Sequence, residues 1–333
     1  MLVASQSVIV QTNVFITVDT EVWPKSDDWR ETCLAADMDR DIYAVTSEGE
    51  YGLRYQLDVL ARFDLKAVFF VEALSACVVG PSRLTEIVQL IQSHGQEVQL
   101  HVHPEWLQWM PDPLIPHKRS QYLKQFTKDE QSLMLAAALD NLRSCGVTSV
   151  RAFRAGNYGA NLDTLRALRE TGVLFDTSYN YPYLSTQCGI DLREPLLQPQ
   201  TVEGVMEYPI TFYEDWPRHH RHLQITACSI QEMEHVLLQA NRERWHSVVL
   251  VSHSFELVKN RKTPEKPLLP DRTCVNRFER LCRFLSERRD LFRTATFNEM
   301  SVSSNGDLPP RRTLKSNVFR TGQRYAEQAM RRL

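Results

Sequence analysis

The chain has seven cysteines, odd in number and scattered, with no C-x-x-C pair. That argues against a disulfide framework and for free thiols, packed in the interior of a protein from a reducing compartment. No stretch reaches the roughly 18 apolar residues of a membrane span. The first residues, Met1 to Thr12, lack a basic region followed by a long apolar run. A cytoplasmic protein without a transmembrane segment is therefore expected. Neither charge sign is in excess: the formal net charge is -2. Nothing global calls for nucleic acid or an anionic membrane as partner. There is no internal repeat, so a solenoid is not expected.

What is present is ordinary globular material. The 333 residues, 43% hydrophobic and 24% charged, suffice for one large domain or two ordinary ones. Val14 to Val18 is a β-branched, apolar strand ending at Asp19-Thr-Glu21, and Trp23 to Gly52 reads as an extended loop. A helix over Leu53 to Phe63 leads to a strand at Lys66 to Val71. A helix capped by Ser82 runs to about Ser93, and Gly95 stops it. Val98 to Leu100 then ends a buried strand and delivers His101 and His103, with Pro104 favouring a break in the backbone.

Thr127-Lys-Asp-Glu130 is a capping-box pattern that opens a helix to Cys145. Ser149 to Phe153 is a strand ending at Arg154, Asn161 caps a helix to Thr171, and Val173 to Phe175 is a strand ending at Asp176. Val205 to Ile210 is a further strand. Ser229-Ile-Gln-Glu232 opens a helix, and Ser247 to Val251 is a strand ending at His253. Arg277 to Arg288 is a helix and Phe292 to Thr296 the last strand.

Strands alternating with helices from Val14 to Phe297 argue for an α/β fold with a parallel sheet. Seven or eight units suit a distorted (β/α)7, TIM-like barrel of a single domain; a doubly wound open sheet is the other arrangement. The expected division is a lead-in over 1–12, the barrel over 13–300, and a basic C-terminal tail over 301–333. The tail is read as solvated or loosely docked, with a short helix at Tyr325 to Leu333.

In such a barrel the C-terminal strand ends converge on one face. Asp19, Glu21, His101, His103, Arg154, Asp176 and His253 each follow an apolar run, where packing alone asks for nothing ionisable. Two histidines and a carboxylate with one open position form a catalytic zinc set. Zinc lowers the pKa of bound water from 15.7 to about 7 and polarises a carbonyl. A second carboxylate could take the water's proton, an arginine could hold that carboxylate, and a histidine opposite could protonate a leaving group. Asp19, Arg154 and His253 fit these three jobs, which makes the chemistry metal-assisted hydrolysis of an acyl group.

Five segments in order resemble those of the polysaccharide deacetylases of the NodB-homology type, carbohydrate esterase family four. They are Thr17-Val-Asp-Thr-Glu21, Gly95-Gln-Glu-Val-Gln-Leu-His-Val-His-Pro104, Phe153-Arg-Ala-Gly-Asn157, Phe175-Asp-Thr-Ser-Tyr179 and Leu250-Val-Ser-His253. The nearest flavour is the WalW-like lipopolysaccharide-biosynthesis subgroup. The resemblance implies a barrel that removes acetyl groups from N-acetylated sugars with Zn2+ or another divalent metal. It makes Asp19 the base, Arg154 its tether, His253 the general acid, and His101 and His103 metal ligands.

Three departures from the family pattern stand out. Thr20 occupies the place of a metal-binding Asp, so Glu21 is read as that ligand, with Thr20 itself as the alternative. The histidines are two apart rather than four, and Glu105 stands at the four-apart position, where it could replace His103. Ala155-Gly-Asn157 replaces Pro-Pro-Tyr in a segment whose backbone amide helps bind the oxyanion. Asp176 is read as a catalytic or bracing residue. Trp106, Asn157 and Tyr158 are read as substrate contacts, and Trp109 could also stack on a sugar. His94, His117, His219, His220, His222 and His246 are read as surface residues. A small-molecule amidohydrolase of the same fold, or an inactive barrel that binds a glycan or a partner, are the other functions this pattern allows.

Overall fold

The computed structural model describes residues 11–23, 34–116, 118–259, 267–302 and 312–332. The lead-in as far as residue 10, together with Cys33 and His117, lies outside the described residues. Strands β1 (Thr12–Thr20), β2 (Val68–Glu72), β3 (Glu97–Val102), β4 (Ala152–Ala155) and β5 (Phe175–Asp176) build the front of the sheet. Then come β6 (Gln200–Val202), β7 (Val205–Glu207), the hairpin β8 (Phe212–Trp216) and β9 (His219–His222), β10 (Ser247–His253), β11 (Phe292–Thr294) and β12 (Leu314–Lys315).

The large sheet runs β10-β1-β2-β3-β4-β5-β7-β6, with β11 also against the start of β1. Its neighbours are parallel except the β6–β7 hairpin. The sheet is not open. Beyond β7 the chain bends round so that Thr211 N–H donates to Val249 O at 3.1 Å, and Val251 N–H donates to Leu223 O at 2.9 Å. The result is one α/β domain built on a curled parallel sheet, its edges drawn together by short irregular segments.

Alternation decides what faces inward. Phe15, Val68, Phe70, Ala152, Phe175, Val249 and Val251 form an apolar floor inside the curl with Tyr208 and Phe297. Phe297 stacks on Phe15 with ring centroids 4.8 Å apart. On the opposite face Val14, Ile16, Val18, Phe69 and Val71 pack against the helices. Two steps along from a floor residue lies another inward position: Phe15 leads to Thr17 and Asp19, Phe70 to Glu72, Ala152 to Arg154, and Val251 to His253.

The helices that enclose the sheet are α1 (Leu34–Asp41), α2 (Leu53–Arg62), α3 (Ser82–Ser93), α4 (Lys128–Ser144), α5 (Leu162–Thr171), α6 (Ile230–Arg242), α7 (Arg272–Glu287) and α8 (Val318–Arg332). Capping boxes open α4 at Thr127/Glu130, α5 at Asn161/Thr164 and α6 at Ser229/Glu232. Gly172 ends α5 at φ 83°, a left-handed turn that favours glycine.

Several sequence readings are corrected. Ser82 lies inside α3 and makes no cap bond. The supposed loop after Trp23 contains α1 and a two-stranded ribbon at Val45–Thr46 and Gly49–Glu50. Helix α7 starts at Arg272, because the Asp271 carboxylate accepts from Thr273 N–H and Cys274 N–H. The hairpin β8–β9 was not foreseen. The tail is not a solvated strand of chain: α8 spans 15 residues and buries Arg324 against Asp215 and Glu232 at 2.8 and 3.1 Å. None of the six described cysteines is in a disulfide, and five are buried. Among the described residues, no helix is long and apolar enough to cross a membrane.

Candidate metal and acid–base site

The inward positions at the C-terminal strand ends meet in register. Asp19 of β1 lies level with His253 of β10, Glu72 of β2 with His101 of β3, and His101 with Arg154 of β4. Glu21 and His103 each lie two residues beyond an inward residue and turn to the same side. Thr20 falls on the opposite parity. Its hydroxyl is buried and makes no hydrogen bond.

Glu21, His101 and His103 place ligand atoms within 4.8 Å of one another, and all three are buried. His101 Nε2 is 3.1 Å from Glu21 Oε2 and 3.1 Å from His103 Nε2, and His103 Nε2 also meets the Glu21 carboxylate. The far side of each ring is anchored. His101 Nδ1 donates to Arg154 O at 2.8 Å, and His103 Nδ1 lies 3.3 Å from Glu105 Oε2. These acceptors hold a proton on Nδ1 and turn both Nε2 atoms toward Glu21.

Glu105 therefore stands behind His103 rather than in its place. Asn157 Nδ2 donates to the other Glu105 oxygen at 2.9 Å. Trp23 Nε1 donates to Glu21 Oε1 at 3.1 Å, and its ring meets His103 edge-on. A Cβ on Gly156 would come within 2.4 Å of the His103 ring, so only glycine lets the imidazole sit here.

The electrostatics draw positive charge into this cluster. Burial pushes the Glu21 carboxyl up, but His103 and the bonds from both rings outweigh it and hold it well below the usual carboxylate range. Burial likewise lowers His103, while Glu21 and Glu105 raise it well above the ordinary imidazole value. A buried carboxylate held ionised beside two converging imidazole Nε2 atoms suits a divalent cation of the zinc type.

Beside the triad sits an acid–base pair. Arg154 Nη1 donates to Asp19 Oδ1 at 2.7 Å, and Arg154 Nε to Thr177 O at 3.2 Å. The guanidinium lies over the Phe70 ring, 4.6 Å from its centroid. Asp19 keeps Oδ2 free of the arginine and 3.8 Å from His253 Nε2. His253 Nδ1 is 2.7 Å from Glu256 Oε1. Burial lowers the His253 pKa, yet Glu256 raises it to about 9. Gln224 donates to Glu256 and is itself bonded to His222.

Not every sequence candidate belongs. Asp176 has the parity opposite to Phe175 and faces away from the site. It accepts from Ser178 Oγ at 2.7 Å and pairs in register with Glu207. Trp106 is 2% exposed in the core and has no face to offer a sugar, which corrects that reading. Trp109 also packs against the core. Asn157 and Tyr158 do border the site, both at positive φ (53° and 56°), a strained conformation of the kind found at functional turns. The Tyr158 ring stacks on Tyr183 at 5.7 Å.

Three residues were missed. Glu256 has a visible signal, three residues after His253. Glu72, at the inward end of β2, had none beyond its place after an apolar run; burial raises its pKa to about 7, against the lowering charge of His103. His222, taken for a surface residue, is 7% exposed because the unforeseen hairpin carries it inward.

No family model matches the chain, and no curated protein does. Solved structures do. A candidate polysaccharide deacetylase from Mycobacterium smegmatis matches at 15% identity and TM-score 0.52, over 88% of this chain and 89% of that one. The 4-alpha-glucanotransferase of Thermococcus litoralis matches at 10% identity and TM-score 0.51, over 87% of this chain and 40% of that one. At these identities the likeness is one of fold.

Proposed function

We propose that this chain is a divalent-metal-dependent hydrolase of the polysaccharide-deacetylase type, built on seven β/α units of a distorted barrel, that removes an acetyl group from the nitrogen of an amino sugar. The observation that carries the reading is a single inward face. It holds the Glu21–His101–His103 cluster, a carboxylate tethered by arginine, and a histidine poised as an acid. A binding module has no use for the last two.

Glu21, His101 and His103 would hold the metal, zinc being the best fit. When bound, it would polarise the amide carbonyl and acidify a water molecule. Asp19 Oδ2 accepts the proton as the water attacks, while Arg154 fixes the carboxylate through Oδ1. His253, protonated at neutral pH, gives its proton to the departing nitrogen. The proton taken by Asp19 and the one lost by His253 balance over the cycle. The strained turn at Asn157 and Tyr158 borders the place where the acyl group would lie.

The five sequence segments support a precursor of a surface polysaccharide or lipopolysaccharide, nucleotide- or lipid-linked, as the substrate, and the unpaired cysteines fit a cytoplasmic enzyme. The test is acetate release from N-acetylated chito-oligosaccharides and nucleotide-linked N-acetylhexosamines by zinc-loaded protein. Asp19→Asn and His253→Ala should each lose about 10²–10⁴-fold in kcat. Release from small cyclic amides but from no sugar would favour an amidohydrolase. No release from any of them, by protein that holds zinc, would favour the binding barrel.

A further inference from the structure

The C-terminal helix α8 is inverted relative to an ordinary surface helix. Several of its charged and polar residues face the protein. Arg324 is buried between Asp215 and Glu232, Glu327 pairs with Arg277, Arg331 pairs with Asp271, and Thr321 donates to Asp215 O at 3.0 Å. Its exposed described side chains are all uncharged: Val318, Phe319, Gln323, Tyr325, Ala326 and Ala329. Phe319 is 81% exposed, Tyr325 60% and Val318 55%.

The neighbouring hairpin extends this face. Strand β12 runs parallel to β8, with Tyr213 level with Leu314 and Glu214 level with Lys315, and Ser316 N–H donates to Glu214 O. Trp216, two residues on and 57% exposed, thus lies beside the start of α8. Cations lie on or next to these elements in the chain: Arg218, exposed, two residues after Trp216, Arg320, half-buried, within α8, and Arg312, exposed, two residues before β12, while Glu214 is paired with Lys315. In a chain of net charge -2, residues 311–333 carry seven Lys and Arg against the one acid Glu327.

We propose that Trp216 and the outward face of α8 form a docking surface for an anionic lipid bilayer. Aromatic side chains settle at the boundary between headgroups and acyl chains, and flanking cations meet anionic headgroups. A polar underside bolted to the protein lets the helix lie flat with its apolar side outward. A second copy is the poorer occupant, because a two-fold contact buries the same patch of both copies together and would bring the cations of one, Arg218, Arg312 and Arg320, near those of the other. The hairpin that carries Trp216 returns through His222 to Tyr183 and Tyr158, so this surface and the candidate site share one element.

The test is co-sedimentation of the full chain with vesicles of phosphatidylcholine alone or with about a third phosphatidylglycerol, at low and high salt. It needs no turnover, so its failure is distinct from failure of the deacetylase reading. Binding should be at least about tenfold tighter to the anionic vesicles and weaken with salt. Phe319→Glu, at an exposed position, should keep the circular dichroism spectrum and lose about tenfold or more in binding. Tryptophan emission should shift to the blue on binding, and that shift should be absent in Trp216→Phe. No binding to anionic vesicles at low salt, or equal binding by Phe319→Glu, would overturn the proposal. So would dimerisation without vesicles that Phe319→Glu abolishes, which would assign the face to a second copy.

Discussion

His253 owes both its orientation and its proton to Glu256. The 2.7 Å contact at Nδ1 leaves Nε2 facing Asp19, and the carboxylate raises the imidazole pKa to about 9. A general acid works below its pKa. Turnover should therefore hold through neutral pH and fall as pH rises through about 9. Glu256→Gln keeps a hydrogen-bond acceptor but removes the charge, so the falling limb should move to lower pH with little change in KM. A pH series of kcat, or an NMR titration of the imidazole, reads this directly. Gly156 carries a second residue-scale expectation. Gly156→Ala would drive a methyl into the His103 ring, and metal affinity should drop about 10–100-fold, the usual cost of disturbing the groups that orient a ligand; isothermal titration with zinc would measure it. Most of the positions that meet here were legible in the sequence. Asp19-x-Glu21 and His101-x-His103 are two-residue spacings, which put both members on one face of a strand. Glu256 shows in the sequence only as an acid three residues after His253, and the turn there is what brings it to the ring.

At the scale of elements, the same parity explains a residue that sequence placed wrongly. Asp176 follows a strand as Asp19 does, but one position out of phase with the floor residue Phe175, so it faces the helices and meets Glu207. Burial raises both carboxyls; Asp176 pushes Glu207 further, well above the usual range, while the hydrogen bond from Glu207 acts to lower Asp176. A proton held between them satisfies the pair. Folded-state carboxyl pKa values above the unfolded ones mean that stability is fully present below the unfolded values and declines as pH rises through the folded ones. The stabilisation from this pair should therefore be lost as pH rises from the unfolded carboxylate values, about 4, through the folded ones, and Glu207→Gln should flatten that fall, as urea titrations at a series of pH values would show. The capping boxes at Thr127, Asn161 and Ser229 were legible because a cap is local chemistry. The hairpin β8–β9 and the docking of α8 were not. Their stability comes from contacts distant in the chain, such as Arg324 with Asp215 and Glu232, and the inverted polarity of α8 reads from sequence as a solvated basic tail.

For the molecule as a whole, the curled parallel sheet gathers residues from Asp19 to His253 onto one end, above an apolar floor of Phe15, Phe70, Phe175 and Phe297. The alternation of strands and helices announced that architecture. The way the edges are joined, through single bonds such as Thr211 to Val249, lay beyond it, because irregular segments have no periodicity to read. The proposed chemistry needs one thing of this assembly, that Glu21, His101 and His103 together hold a divalent metal. Metal content by mass spectrometry of purified protein, as isolated and after zinc is added and the excess removed, tests that most directly, beside His101→Ala and Glu21→Ala. About one zinc or similar ion per chain is expected, lost in both variants. A metal-free wild type after zinc addition, or metal retained in full by both variants, would contradict it.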